Sequence, residues 1–296
     1  MPTAARYLQL DVFPARPGGG NPLGVVFDAQ GWSDERMQRC ANWTGLVETT
    51  FVLPPTRAGA SYRLRIFTPE REIPFAGHPT IGSAHAVLET GHAQPKGGRL
   101  VQECGAGLLP IQVEGEAKSR CLFVQAPATR LLGVDARHEP LLRAALAGTR
   151  LGVLPPAFIE GGRRWWVAEF ADEATLRGWQ PDHGAIATLA RASDSLGLCA
   201  FARAADGAGY ELAVRAFPAG VGIAEDPASG AANGLIAAWI ARSEPDGTLA
   251  RGYRVSQGRE IGRDAEILIR IDAGIERAVW VGGRTHTIVD GELRWD

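Results

Sequence analysis

"REIPFAGHPTIGSAHAVLETG" (residues 71–91) and "GIAEDPASGAANGLIAAWIAR" (residues 222–242) share one design. Each runs from a loop, through an ionisable residue set just before a proline, into small residues and then an apolar helix. The segments ahead of them are alike too. "RLRIFTP" (residues 63–69) sits beside "AVRAFPA" (residues 213–219), so that Arg65 and Phe67 match Arg215 and Phe217. Continuing the match through the prolines places Pro79 opposite Pro227 and His78 opposite Asp226, with Gly82 opposite Gly230 and Ala84 opposite Ala232. The first copy is then longer by two residues in its loop. An internal duplication, and hence two lobes of similar design, is the expected organisation.

The rest of the chain fits that frame. "YLQLDVF", "LGVVFD", "ETTFVLP", "LLPIQVEG" and "RCLFVQAPA" read as short strands in the first half. "LGLCAFARA", "YELAVRAFPA", "AEILIRIDA" and "AVWVGG" read as strands in the second. "SDERMQRCANWTG" is a helix with Ser33 as N-cap, acidic Asp34 and Glu35 in its first turn and Gly45 to close it. "PTIGSAHAVLETG" is a second helix, with Pro79 in its first turn and Gly91 past its end. "DHGAIATLARAS" and "PASGAANGLIAAWIARS" are the helices of the second half.

Composition narrows the function classes. Of the 296 residues 45% are hydrophobic and 22% charged, as in a soluble globular protein, and the formal net charge is -2. With no basic block, nucleic acid and anionic membranes are not expected partners. No apolar run reaches the length of a membrane span and "MPTAARYLQLDVF" lacks a signal-peptide core, so a cytoplasmic protein is expected. Cys40, Cys104, Cys121 and Cys199 are scattered and form no CxxC motif, which favours reduced thiols over a disulfide or a metal site. "RPGGGNPLG" has neither a P-loop lysine nor GxGxxG spacing before a helix, so it reads as a loop between strands, from which Asn21 could face a cleft.

The start of a helix carries unpaired backbone N–H groups and a partial positive charge. Small residues there either let a ligand approach those groups or let two elements pack tightly. Two such starts, around Gly77 and around Ser229, Gly230 and Ala231, would cradle a carboxylate. His78, just ahead of a helix, is placed to hydrogen-bond or to carry a proton. Asp226 is either a ligand contact or a helix cap, and Glu225 a solvated or first-turn residue. Glu48 opens the strand "ETTFVL", sharing a face with Thr50 and Val52, while Thr49, Phe51 and Leu53 take the other. It is either exposed or tucked into a cleft; if buried, it would gain a raised pKa suited to moving protons both ways.

Five stretches together carry a family resemblance: "DVFPARPGGGNPLGVVFD", "MQRCANWTGLVETTFVLPP", "RIFTPEREIPFAGHPTIGSAH", "EDPASGAANG" and "VSQGREIGR". They resemble the motif series of the PhzF-like isomerases of phenazine biosynthesis, from about Leu10 nearly to the C-terminus. The resemblance implies an α/β (α+β) fold of two pseudo-symmetric lobes like diaminopimelate epimerase, each a curved, mostly antiparallel sheet around a central helix. Lobes are expected at 1–125 plus about 281–296 and at 126–280. The resemblance also implies Glu48, His78 and Asp226 as catalytic residues, no metal or organic cofactor, a small carboxylate metabolite as substrate, and a homodimer. Glu48 would move a proton between carbons, with His78 and Asp226 holding the substrate and helix-start amides receiving its carboxylate. The family motif usually reads "DPATGSA". Here Ala231 replaces its serine and Ser229 its threonine, which bears on the substrate and leaves a non-catalytic ligand-binding or interaction protein as the alternative function. Racemases of the same fold use a thiol from each lobe, and neither loop here has a cysteine.

Overall fold

The computed structural model describes residues 4–116, 119–274 and 277–295. It divides into two compact units. One comprises the chain up to Gln125 together with the residues from Gly282 onward; the other is Ala126–Val281.

The first unit contains β1 (Ala4–Val12), β2 (Asn21–Val26), α1 (Asp34–Thr44), β3 (Glu48–Leu53) and β4 (Tyr62–Phe67). It continues with β5 (Glu72–Ile73), α2 (Gly77–Glu89), β6 (Arg99–Cys104), β7 (Gly107–Glu114) and β8 (Cys121–Gln125), and β17 (Thr285–Arg294) returns to it. Strand β1 lies between β17 and β2, antiparallel to both. The pairs β2–β3 and β4–β6 are parallel, and the remaining pairs along β3–β4–β5 and β6–β7–β8 are antiparallel.

Helix α2 is the core of this unit. Ten of its thirteen residues are buried, as a helix enclosed by sheet on most sides requires, and it packs on β1, β2, β3 and β8. Its end follows from local sequence: Gly91 adopts φ 76°, and the N–H groups of Gly91 and His92 bond back to Leu88 and Val87. Helix α1 lies against other residues of the sheet, where Met37, Cys40 and Ala41 join Val26, Phe51 and Phe67 in a second layer. Ser33 caps α1 through the Arg36 N–H, and Gly45 at φ 63° ends it, as the sequence predicts.

The second unit contains β9 (Arg130–Leu132), α3 (Glu139–Ala145), β10 (Ala157–Gly161), β11 (Arg163–Glu169), α4 (Glu173–Gly178) and α5 (His183–Ala192). It continues with β12 (Gly197–Arg203), β13 (Leu212–Phe217), α6 (Gly230–Ser243), β14 (Gly252–Gln257) and β15 (Ala265–Ile271); β16 (Val279–Gly283) runs across the division. Here β11–β12 and β13–β14 are parallel, and β9–β10, β10–β11, β12–β13 and β14–β15 are antiparallel. Helix α6 packs on β10, β11, β12 and β15. Residues from α3, α4 and α5 instead form a cluster with Phe158, Trp166, Leu198 and Phe217, to which α6 contributes nothing. Trp165 and Trp166 are both buried, as core tryptophans on alternate faces of β11.

Two helix starts differ from the sequence reading. α2 begins at Gly77, so that Pro79 is its third residue, and α6 begins at Gly230 with Ser229, not Asp226 or Pro227, at the cap. None of the four cysteines forms a disulfide. Among the described residues no helix is long and apolar enough to cross a membrane, and no three His, Cys, Asp or Glu side chains are grouped to hold a metal ion.

Candidate active site

Alternation along β3 decides where Glu48 points. Phe51 faces the α1 layer, whereas the Thr50 hydroxyl lies 2.8 Å from that of Ser83 on α2. Glu48, two residues before Thr50, therefore faces the α2 side. It is buried, with 8% exposure. His78, the second residue of α2, is also buried, and its Nε2 lies 3.4 Å from Glu48 Oε2. Asn21, the first residue of β2, is fully buried, with its side-chain nitrogen 3.4 Å from His78 Nδ1. Three residues far apart in the chain, with Gly77 adjoining His78, thus come together in the first unit.

The chemistry of the ring follows from its neighbours. His78 is hydrogen-bonded to the backbone of Pro22, which has no N–H and can only accept. Its Nε2 faces the Glu48 carboxyl. Burial pushes the imidazole down from its usual value to about 3, and the bond to Pro22 offsets only part of this. The ring is neutral near pH 7, so its approach to Glu48 is not an ion pair. It is a fixed hydrogen-bonding group rather than one that titrates at neutral pH.

The small residues of α2 serve mainly packing. A Cβ on Gly82 would stand 2.5 Å from Leu23 Cδ2 and 2.8 Å from Val12 Cγ2, so β1 and β2 approach the helix as closely as only glycine allows. At the start of the helix, Ala76 occupies the cap position and offers no side-chain bond. The amides of Gly77 and His78 have no intrahelical partner by helix geometry.

The second unit holds the other residues expected from the sequence. Asp226 is half-buried in a bridge to Ala216 and accepts a hydrogen bond from the Ala228 N–H at 3.3 Å. It does not cap α6: the Ser229 hydroxyl does, accepting from the Ala232 N–H at 3.4 Å. Gly230 is half-buried and Ala231 exposed. Glu225 is neither solvated nor a first-turn residue. It forms a bidentate pair with Arg215, at 2.9 and 2.8 Å, in which both side chains are only 5% exposed.

That pair corrects the register of the duplication. Arg65 makes the matching bidentate pair with Glu72 in the first unit, at 2.8 and 2.6 Å. Ile66 faces Ile73 there, as Ala216 faces Asp226. A Cβ on Gly105 would meet Pro74 at 2.8 Å, and one on Gly258 would meet the Pro227 carbonyl at 2.6 Å. Pro227 therefore corresponds to Pro74 rather than Pro79, Gly230 to Gly77, and Ala231 to His78. The second loop is the longer, by three residues, and holds the 3-10 turn Ala219–Val221.

Sequence reasoning missed Gln257, although its motif was noted. Fully buried, it donates to the Asp226 carbonyl and accepts from the Ser229 N–H and the Asn233 side chain, tying loop to helix. Its polar character within "RVSQGREIG" was the available signal. It also missed the Arg–Glu pairs, whose signal was the recurrence of Glu, Pro and Gly in "EIPFAG" and "EDPASG".

Residues 10–291 match the family described as phenazine biosynthesis-like protein. The chain belongs to that family. Among curated relatives it is 34% identical to the trans-2,3-dihydro-3-hydroxyanthranilate isomerase of Pseudomonas aeruginosa, over 97% of this chain and 98% of that one. It is also 34% identical to antisense-enhancing sequence 1 of Schizosaccharomyces pombe, over 98% and 99%. Among solved structures, the PhzF-family phenazine biosynthesis protein of Bacillus anthracis superposes with a TM-score of 0.86 at 25% identity, covering 98% of this chain and 99% of that one. A probable proline racemase from Agrobacterium radiobacter, at 12% identity and a TM-score of 0.64, shares the fold alone. This PhzF-family chain is thus an isomerase with an epimerase-like α/β fold.

Proposed function

We propose that this PhzF-family protein moves a proton between two carbons of a small carboxylate, with Glu48 as the single acid/base and with no metal or organic cofactor. The carboxylate of Glu48 takes a proton from one carbon, and the electron pair left behind delocalises into the conjugated system of the substrate. The resulting carboxylic acid returns the proton to a second carbon, so bonding shifts without oxidation or reduction. His78 and Asp226 orient the substrate, and the amides at Gly77 and at Gly230 and Ala231 receive its carboxylate. In this reading the two helix starts face a shared cleft.

The observation that carries the reading is the buried contact between Glu48 and a neutral His78 at 3.4 Å. The pairs Thr49–Phe67 and Leu198–Phe217 make Gly197 the counterpart of Glu48 in the second unit, and Ala231 is the counterpart of His78. Neither can carry a proton, which favours one base acting twice over two bases acting in turn. The name of the Pseudomonas relative supplies the compound to try, trans-2,3-dihydro-3-hydroxyanthranilate. In heavy water the enzyme should convert it with deuterium appearing at a carbon of the product. Binding without conversion or exchange would favour the ligand-binding alternative, for which Ala231 in place of a polar residue is the supporting observation.

A further inference from the structure

The glycine-rich stretch "RPGGGNPLG" has no part in the reaction as proposed, yet it ends against the His78 ring. We propose that Asp11, on β1, is a positioning residue that holds this loop, and through it the His78 imidazole, in register with Glu48. This rests on the proposed role of the Glu48–His78 pair.

Asp11 is buried, and its carboxylate faces the loop rather than solvent. Oδ2 accepts from the Gly18 N–H at 2.7 Å, and Oδ1 from the Gly20 N–H at 2.8 Å. Bonds from backbone amides to an ionised carboxylate are among the stronger hydrogen bonds in proteins. The glycines allow the closure. Gly18 adopts φ 79°, and a Cβ on Gly20 would stand 2.2 Å from the Val12 carbonyl and 2.7 Å from Asp11 Oδ1. The turn is completed by the Gly19 N–H, which bonds to the Arg16 carbonyl at 2.9 Å.

The two residues that follow both touch the ring. Asn21 sets its amide 3.4 Å from Nδ1, and Pro22 accepts the ring hydrogen. Asp11 itself faces Pro22 across β1–β2. The carboxylate thus fixes the end of the loop at which the ring is oriented, and the ring orientation determines whether Nε2 faces Glu48. The glycine run is the closing turn of a brace, which accounts for its sequence without a bound phosphate.

Asp11→Asn replaces one acceptor by a donor that opposes an N–H group. Gly20→Ala displaces the same loop from its other side. Both should lower kcat on trans-2,3-dihydro-3-hydroxyanthranilate by about tenfold to a hundredfold, with KM changed less than about threefold, as expected for a misplaced catalytic group. Ile111→Ala, a cavity on β7, where Ile111 is buried and pairs with Leu100 of β6 and Val124 of β8 rather than with the loop, serves as a control of matched loss in Tm and should retain kcat. Independently of turnover, the ¹⁵N spectrum of the His78 ring should show a single tautomer in the native protein and a mixture in Asp11→Asn. An unchanged ring spectrum overturns the proposal whatever the rate does, and so does a kcat no lower than that of the control. If the native enzyme does not convert this compound, the reading of the reaction fails, and the ring spectrum alone decides the role of Asp11.

Discussion

The loops that lead into α2 and α6 are built on one plan and do different things. In both, an arginine on the preceding strand grips a glutamate two residues before a proline, a remote glycine presses on that proline, and a glycine opens the helix. The scaffold is duplicated but the chemistry is not. The first loop presents His78 to Glu48; the second has Ala231 and Gly197 at the same places and offers Asp226 instead. Duplication preserved what positions the backbone, and only one copy retains a carboxyl–imidazole contact.

The sharpest way to break this comparison is to neutralise each carboxylate in turn. Glu48→Gln should lower turnover by about 10²–10⁴-fold, the range for loss of a general acid/base, with ligand affinity kept. Asp226→Asn should cost only about tenfold, as for loss of one charge-assisted contact. Equal losses would place proton chemistry in both units.

The two Arg–Glu pairs differ in burial, which predicts unequal costs. Arg215→Met strands a buried carboxylate and removes the bonds to the Leu176 and Trp179 carbonyls, so it should destabilise the protein by about 3–5 kcal/mol. In the first unit Glu72 and Asp34, the partners of Arg65, are 42% and 79% exposed, and Arg65→Met should cost about 1 kcal/mol or less. Denaturant unfolding of both variants measures the difference. The helix glycines sharpen the contrast at a smaller scale. Gly82→Ala should cost about 1–3 kcal/mol by overpacking. Gly234→Ala, whose new Cβ would meet the Ala126 Cβ at 3.0 Å, should cost less.

How much of this was legible in the sequence depends on whether the signal was local. Ser33, Gly45 and Gly91 mark helix ends through their own backbone or side chain, and they stand where the patterns place them. Glu48 was legible as a carboxylate on the alternate face of a strand, but only the fold shows that this face is turned to α2. The register of the duplication was misjudged because Pro79 and Pro74 compete for Pro227. The contacts that decide between them, from Gly105 and Gly258, come from residues just past the ends of remote strands. Glu225 looked like a surface residue because its recurrence with Glu72, each following a matched arginine, shows only once the two loops are aligned in the right register.

The remaining expected effect is on pH dependence. The folded-state value of His78 lies near 3, below its ordinary 6.5, so the unfolded chain binds the additional proton between these limits. Stability should therefore rise with pH from about 3 to 6.5 and gain nothing from this group above that. His78→Asn should flatten the slope by up to one proton, with His85, pushed to about 4 by burial, contributing the same sign of dependence in both proteins. An imidazole of His78 titrating near 6.5 by NMR would contradict its placement.

The central claim is that one carboxyl group both removes and returns the proton, and an isotope tracer tests it most directly. Substrate deuterated at the donor carbon should give, in ordinary water, product bearing part of the label at the acceptor carbon and on the face from which it left. Delivery of a solvent proton to the opposite face, with no label carried over, would require a second base and contradict the account.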